Sequence, residues 1–175
     1  MIFSETKLAG AYLIDIEKSE DDRGFFSRLW DKDEFSKKGL DSNYVQISIS
    51  GNIKKGTIRG MHYQANPYEE TKIVRCTRGK IYDVIIDLRR DSKTFKEWFS
   101  AELSADNYKM MYVPKGFAHG FQTLEDDSEV TYQISQEYMP EFSKGIKWSD
   151  AAINITWPME PTIISQRDRA FPDFG

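Results

Sequence analysis

The only two histidines in this chain each stand inside a short glycine-flanked motif. One is Arg59-Gly60-Met61-His62-Tyr63-Gln64; the other is Pro114-Lys115-Gly116-Phe117-Ala118-His119-Gly120-Phe121. Imidazole titrates closest to neutrality among side chains, which makes it the usual carrier of a proton in catalysis. On a strand, His62 faces either an interior or solvent, and a core histidine bonded to backbone is the competing reading. Arg59 lies three residues earlier, and strict alternation puts the two on opposite faces. Gly60 between them permits a bulge that turns both inward. His119 follows a Pro-Lys-Gly turn and presents a polar ring at the start of a strand.

Three further residues belong with the histidines. Lys72 alternates with Val74 and Cys76, which marks a lysine either at a strand mouth or buried for a purpose. Tyr132 shares a face with Val130 and Ile134, as a packing residue does, but its phenol is protonated at neutral pH and able to donate. Asp168, in Ser165-Gln166-Arg167-Asp168-Arg169, reads by itself as part of a solvated turn. A base, a cation, a protonated phenol and arginines together suit one class of reaction. That class is abstraction of a proton beside a carbonyl, with a proton delivered to the opposite face. A metal site is the rival. Barrel metal sites cluster several ligands, often two histidines one residue apart, and this chain has two histidines in all and no such pair. No metal is therefore expected.

The elements that must position these residues are mostly short strands. Lys72 to Thr77 and Lys80 to Asp87 flank Arg78-Gly79 and read as a hairpin. Phe95 to Leu103, Lys109 to Val113, Gly120 to Leu124 and Glu129 to Ser135 read as further strands separated by turn clusters. Asp31 to Lys38 reads as a short helix with Asp31 as N-cap and Gly39 at its stop. A second helical turn is expected near Ser165 to Asp168. The spacing predicts an all-β antiparallel barrel or sandwich with minor helix, of a size that encloses one small ligand. A length of 175 residues without linker or repeat fits a single domain, 1–175.

Composition narrows the partners. The net charge is -4 and no dense basic stripe occurs, which excludes nucleic acid as an expected partner. No apolar run spans a bilayer, the first residues lack a signal pattern, and the single Cys76 fits a reducing compartment, so a cytoplasmic protein without a membrane partner is expected. The 11 Phe, nine Tyr and four Trp suit a β core and pocket walls.

At the level of motifs, the chain resembles the dTDP-4-dehydrorhamnose 3,5-epimerase family of nucleotide-sugar enzymes. The stretches that carry the resemblance are Asp22-Arg23-Gly24-Phe25-Phe26, Gly56 to Gln64, Lys72 to Cys76, Asp83 to Arg89, Val113 to Phe121, Trp148, Trp157-Pro158 and Ser165 to Asp168. The resemblance implies a cupin-type jelly roll, a homodimer and no cofactor. It further implies His62 as general base, Asp168 as its partner, Lys72 on the enolate oxygen and Tyr132 as the acid on the other face. Arg23, Arg59 and His119 would line the sugar and its diphosphate, Phe26 would touch the nucleotide, and Gln46 would lie near it. Two positions depart from the family pattern: Arg28 stands where Glu is common, and Gln46-Ile47-Ser48-Ile49-Ser50 replaces Gln-x-Asn-x-Ser. Both regions are near the nucleotide in relatives, which leaves the base, thymine or cytosine, open. The alternatives are a single-centre 3- or 5-epimerase on a dTDP- or CDP-linked sugar, and a non-catalytic sugar-nucleotide binding module.

Overall fold

The structure is a computed structural model that describes residues 1–174. In chain order the strands are β1 (Ile2–Glu5), β2 (Tyr12–Asp15), β3 (Ser19–Asp21), β4 (Gly24–Phe26), β5 (Gln46–Asn52), β6 (Thr57–Gln64) and β7 (Lys72–Arg78). They continue as β8 (Lys80–Asp87), β9 (Trp98–Ser104), β10 (Met110–Val113), β11 (Phe117–Thr123), β12 (Ser128–Ile134), β13 (Ser143–Gly145) and β14 (Ile163–Ile164). Two helices are short: α1 (Lys32–Lys37) and α2 (Gln166–Arg169). One sheet has the order β1-β2-β10-β7-β12-β5; the other runs β13-β6-β11-β8-β9, with β14 added parallel to β6. Strands β3 and β4 form a separate hairpin. The result is an antiparallel jelly roll, the expected class.

The two sheets close on a shared core. Val74, Cys76, Met111, Val113 and Val130 from the first sheet meet Ile81, Ile85, Leu103, Phe117 and Phe121 from the second. Both outer faces are covered as well. Phe35 of α1 packs with Ile14, Ile73, Met110 and Tyr112 on one side, and Ile146 and Ile153 pack with Met61, Val84 and Ile86 on the other. That double covering explains why β8 is buried at six of its eight positions instead of alternating between buried and exposed residues. Burial in this core pushes the Cys76 thiol up to about 11, as suits an inert packing cysteine.

Local chemistry sets the joints. Asp31 caps α1 by accepting from the backbone N–H of Asp33 (3.0 Å) and Glu34 (3.1 Å), as predicted. Gly79 in the β7–β8 turn has φ +68°, and a Cβ there would meet Ser128 Oγ at 2.6 Å. The hairpin expected across Arg78-Gly79 does not form: the turn carries the chain from β7 in the first sheet to β8 in the second, where β8 pairs with β9 and β11 and β7 with β10 and β12. Two strand boundaries also differ from expectation. The strand that carries His119 begins at Phe117, three residues earlier than Gly120, so His119 lies inside a ladder and not at its mouth. The strand expected from Phe95 begins at Trp98, because buried Asp87 gathers the preceding loop. Its carboxylate accepts from Arg89 Nε (2.9 Å), Arg89 Nη2 (2.7 Å), Ser92 Oγ (2.5 Å) and Thr94 Oγ1 (2.7 Å). Burial opposes the charge, but these donors outweigh it and hold the carboxyl at about 2.

Candidate active site

The site lies at one end of the space between the two sheets. A cavity of about 290 Å³ is bounded by Ser48, Ser50, Arg59, His62, Lys72, His119, Phe121, Tyr132 and Ile134. His62 and His119 come from the β6–β11 pair in one sheet; Lys72 and Tyr132 come from the β7–β12 pair in the other. Imidazole and phenol therefore stand on opposite walls. Two more hollows adjoin at His62: one of about 300 Å³ bordered by Arg59, Ser165, Arg167 and Asp168, and one of about 200 Å³ bordered by Glu70, Lys72, Tyr138, Ser143 and Arg167.

The sequence question about Arg59 and His62 has a geometric answer. In the β6–β11 ladder His62 pairs with His119, but Arg59 pairs with Phe121, so the register slips between the two pairs. That irregularity brings Arg59 and His62, three residues apart, onto the same cavity. The strands approach unusually closely there. A Cβ on Gly60, whose φ is +136°, would fall 2.5 Å from Gly120 Cα, and a Cβ on Gly120 would fall 2.8 Å from the Arg59 carbonyl oxygen. Glycine is required at both positions.

His62 is 37% exposed, and its Nε2 lies 2.8 Å from Oδ1 of Asp168, which is buried. Asp168 is fixed in turn: its Oδ2 accepts from Gly60 N–H at 3.1 Å, and its own N–H donates to Ser165 Oγ, the N-cap of α2, at 3.0 Å. Burial alone would raise the Asp168 carboxyl. The hydrogen bond and charge of His62, with the Gly60 and Ser165 contacts, bring it below its ordinary value instead. Asp168 is thus an anion beside the ring, and the solvated-turn reading of its sequence does not apply. With Nε2–H donating to it, Nδ1 keeps the free lone pair of the neutral ring.

On the facing wall, burial raises the Tyr132 phenol well above its ordinary range, so it stays protonated. Its ring lies edge-on to His119 with centroids 6.2 Å apart. Lys72 Nζ is 2.7 Å from Glu70 Oε1. His119 is buried, with Nε2 2.7 Å from Asp83 Oδ1, while Asp83 Oδ2 has no hydrogen-bond partner among the described residues. Burial pushes the Asp83 carboxyl up, and His119 and Lys72 pull in the opposite direction. Arg59 Nε donates to Asn52 Oδ1 at 2.6 Å, and Nη2 to the Gly51 carbonyl at 3.2 Å.

The other sequence candidates lie apart. Arg23 is 89% exposed on the β3–β4 hairpin, held to Asp21 Oδ2 at 2.5 Å, and Phe26 of the same hairpin is 72% exposed. Neither borders the cavity. Gln46 begins β5, exposed, opposite the cavity residue Ile134. The residues that sequence reasoning did not single out are Glu70, Asp83, Tyr138, Ser143, Arg167 and Phe171. Arg167 Nη2 donates to Ser143 Oγ at 2.8 Å, and the Phe171 ring lies 5.7 Å from that of His62. Arg167 directly precedes Asp168 and was legible by that neighbourhood; Phe171 carries no local signal. Among the described residues, no three His, Cys, Asp or Glu side chains converge as a metal-ligand set.

Comparison with known proteins gives a consistent outcome. The sequence profile of dTDP-4-dehydrorhamnose 3,5-epimerases matches residues 5–175. The dTDP-4-dehydrorhamnose 3,5-epimerase of Sinorhizobium fredii is 41% identical over 173 residues, covering 98% of this chain and 89% of that protein. The Methanothermobacter thermautotrophicus enzyme of the same name is 40% identical over 170 residues, covering 95% and 91%. The crystal structure of the Bacillus anthracis enzyme, with TDP and PPi bound, superposes with a TM-score of 0.95 at 41% identity over 99% of each chain.

Proposed function

The chain belongs to the dTDP-4-dehydrorhamnose 3,5-epimerase family, and we propose that its reaction runs through His62 as base and Tyr132 as acid. The substrate in this reading is dTDP-4-dehydro-6-deoxy-D-glucose and the product dTDP-4-dehydro-L-rhamnose, by inversion at C3 and C5. The observation that carries the assignment of roles is the single cavity with the His62–Asp168 pair on one wall and Tyr132 with Lys72 on the other. A binding module has no use for such a pairing of base and acid.

The chemistry follows from the geometry. A proton α to a ketone is weakly acidic, so its removal depends on stabilising the oxyanion that forms at O4. His62 Nδ1 takes the proton from C3 or C5, and the anionic Asp168 at 2.8 Å stabilises the resulting imidazolium. The ammonium of Lys72 receives the charge that develops on O4. One group returning its own proton restores the original centre; inversion needs a donor on the opposite side. Tyr132, held protonated by burial, is that donor. Arg59 keeps Nη1 outside its hydrogen bonds to Asn52 and Gly51, where it suits a diphosphate oxygen, and His119 completes the sugar-facing wall. No step calls for a metal or an organic cofactor.

Two copies associate in this reading. Ile47 and Ile49 of β5 are 77% and 64% exposed, an apolar stripe on the edge strand of its sheet. Arg23 and Phe26 stand out from their own subunit, and a dimer would let them reach nucleotide bound by the other copy. No described helix is long and apolar enough to cross a membrane, and the reading places the enzyme in the cytoplasm. Incubation with dTDP-4-keto-6-deoxyglucose in deuterium oxide should place deuterium at C3 and C5, and His62→Ala should abolish incorporation while leaving the fold intact. Incorporation that survives His62→Ala overturns the assignment of the base. Light scattering reads the dimer.

A further inference from the structure

We propose that Glu70 is a positioning residue for this reaction, fixing the Lys72 ammonium at the cavity wall where it faces the developing oxyanion. The inference rests on the reading of Lys72 as the enolate-stabilising group. Glu70 Oε1 lies 2.7 Å from Lys72 Nζ, and both side chains are only 12% exposed. Withdrawing two charges from water is costly, so a pair held this far inside signals a use for the geometry. Glu70 lies two positions before Lys72, the first residue of β7, and their contact sets both side chains on the same side.

The backbone that carries Glu70 is pinned. Thr71 N–H donates to Ser135 Oγ at 2.8 Å, and Ser135 N–H returns a bond to the Thr71 carbonyl at 3.0 Å. The preceding loop is tied by Tyr68 N–H to the Ala65 carbonyl (3.0 Å) and by Gln64 Nε2 to the Tyr68 carbonyl (3.0 Å). The carboxylate is therefore presented by a fixed frame. Lysine without a partner is a compact charge on a flexible four-carbon stem. Tethered by one N–H to Glu70, Lys72 keeps its other N–H groups for a ligand oxygen.

Lys72 borders both the main cavity and the smaller hollow that Glu70 lines. The charged and titratable groups that face it are His62, Arg59, His119 and Tyr132 in the cavity, Asp83 beneath it, and Tyr138 and Arg167 in the hollow. Among them Glu70 is the one carboxylate in hydrogen-bonding contact with the ammonium. Its position has a cost: a carboxylate lining the cleft repels an anionic nucleotide sugar. Orientation of Lys72 and binding of substrate are thus set against each other by the same side chain.

That opposition defines the test: kcat and KM for steady-state epimerisation of dTDP-4-keto-6-deoxyglucose by Glu70→Gln, Glu70→Asp, Lys72→Ala and the Glu70→Gln/Lys72→Ala pair. The isosteric amide keeps an acceptor for Lys72 but deletes the charge, and trading a charge-assisted for a neutral bond predicts a kcat lower by about five- to twentyfold. KM should stay level or fall. Glu70→Asp keeps the charge on a shorter stem and should hold kcat nearer the parent value than Lys72→Ala does, which covers the case where Glu70→Gln fails to fold. The double variant should be no slower than Lys72→Ala. A Glu70→Gln enzyme with unchanged or raised kcat beside an impaired Lys72→Ala overturns the proposal alone. A fully active Lys72→Ala overturns the reading of Lys72 on which it stands.

Discussion

Replacing Tyr132 with Phe should separate proton exchange from inversion. The phenol is the proton donor on the wall opposite His62, and the change deletes one hydroxyl while keeping the ring that packs beside His119 at 6.2 Å. His62, Asp168 and Lys72 are untouched, so the enolate should still form at close to its normal rate. The His62 imidazolium is 37% exposed, which lets its proton trade with solvent before it returns to carbon. In deuterium oxide the variant should therefore incorporate deuterium into substrate of unchanged configuration. Loss of a positioned general acid is worth about 10²–10⁴ in rate, or about 3–5 kcal/mol of barrier, and that loss should fall on inversion alone. Exchange should remain within about tenfold of the parent, as expected when the base and the oxyanion cation are retained. The assay is NMR of the C3 and C5 positions during turnover, with product configuration read from couplings in the same spectra. If exchange and inversion decline together, Tyr132 acts on enolate formation or on the fold, and the opposite-wall argument is wrong.

Three other outcomes follow from named contacts. Asp168→Asn offers an amide N–H to His62 Nε2, which fixes the proton on Nδ1 and removes the base; exchange at both carbons should drop by about 10²–10⁴, with melting temperature little altered because the Gly60 N–H still finds an oxygen. Gly120→Ala should cost about 1–3 kcal/mol by overpacking, since its Cβ would meet the Arg59 carbonyl oxygen at 2.8 Å, and exchange per folded molecule should fall as Arg59 and His62 are re-aimed; thermal unfolding read beside activity checks both. Asp87, held at about 2 against an ordinary 3.8, binds its proton less readily in the folded than in the unfolded chain. Its contribution is complete above about pH 4 and disappears as pH falls toward 2, an acid-side loss of about 1–2 kcal/mol that Asp87→Asn should lack in urea titrations at successive pH values.

How far the sequence revealed this depends on the range over which each feature is encoded. Asp31 as helix cap, the turn at Arg78-Gly79 and the apolar faces of β7 and β12 are decided by neighbours in the chain, and they were legible; that this turn passes between sheets and closes no hairpin was not, because the pairing partners of β7 and β8 lie far along the chain. The start of β11 was not, because Phe117 and Ala118 follow a turn signal yet join the ladder through pairing with Asp87 and Ile86. Asp168 could not be read from its own neighbours for a related reason; only the family resemblance paired it with His62. Nothing local distinguishes a solvated aspartate from one buried against Gly60, 108 residues away. Glu70 is the opposite case: it lies only two positions from Lys72, yet a glutamate beside a strand lysine carries no local mark that it holds that lysine at a cavity wall.

The bulge in β6 shows why the site needed three dimensions. Gly60 gave permission for Arg59 and His62 to share a face, but glycine in a strand is equally consistent with a simple weakening of the ladder. What compels the slip is the second glycine. Gly120 Cα lies 2.5 Å from where a Cβ on Gly60 would stand, and a Cβ on Gly120 would fall 3.0 Å from Gly60 Cα, so the two strands approach this closely only where both lack side chains. That contact tips the ladder out of register between His119 and Phe121 and turns Arg59 into the cavity. It also leaves the Gly60 N–H directed at Asp168 Oδ2, which seats the carboxylate that orients His62. The two glycine-flanked histidine motifs are therefore halves of one device: each supplies the glycine that lets the other approach, and the catalytic pair is assembled at their junction. Substituting either glycine should accordingly damage His62 chemistry more than it damages the binding of free dTDP, a split that calorimetry and exchange measured on the same sample would expose.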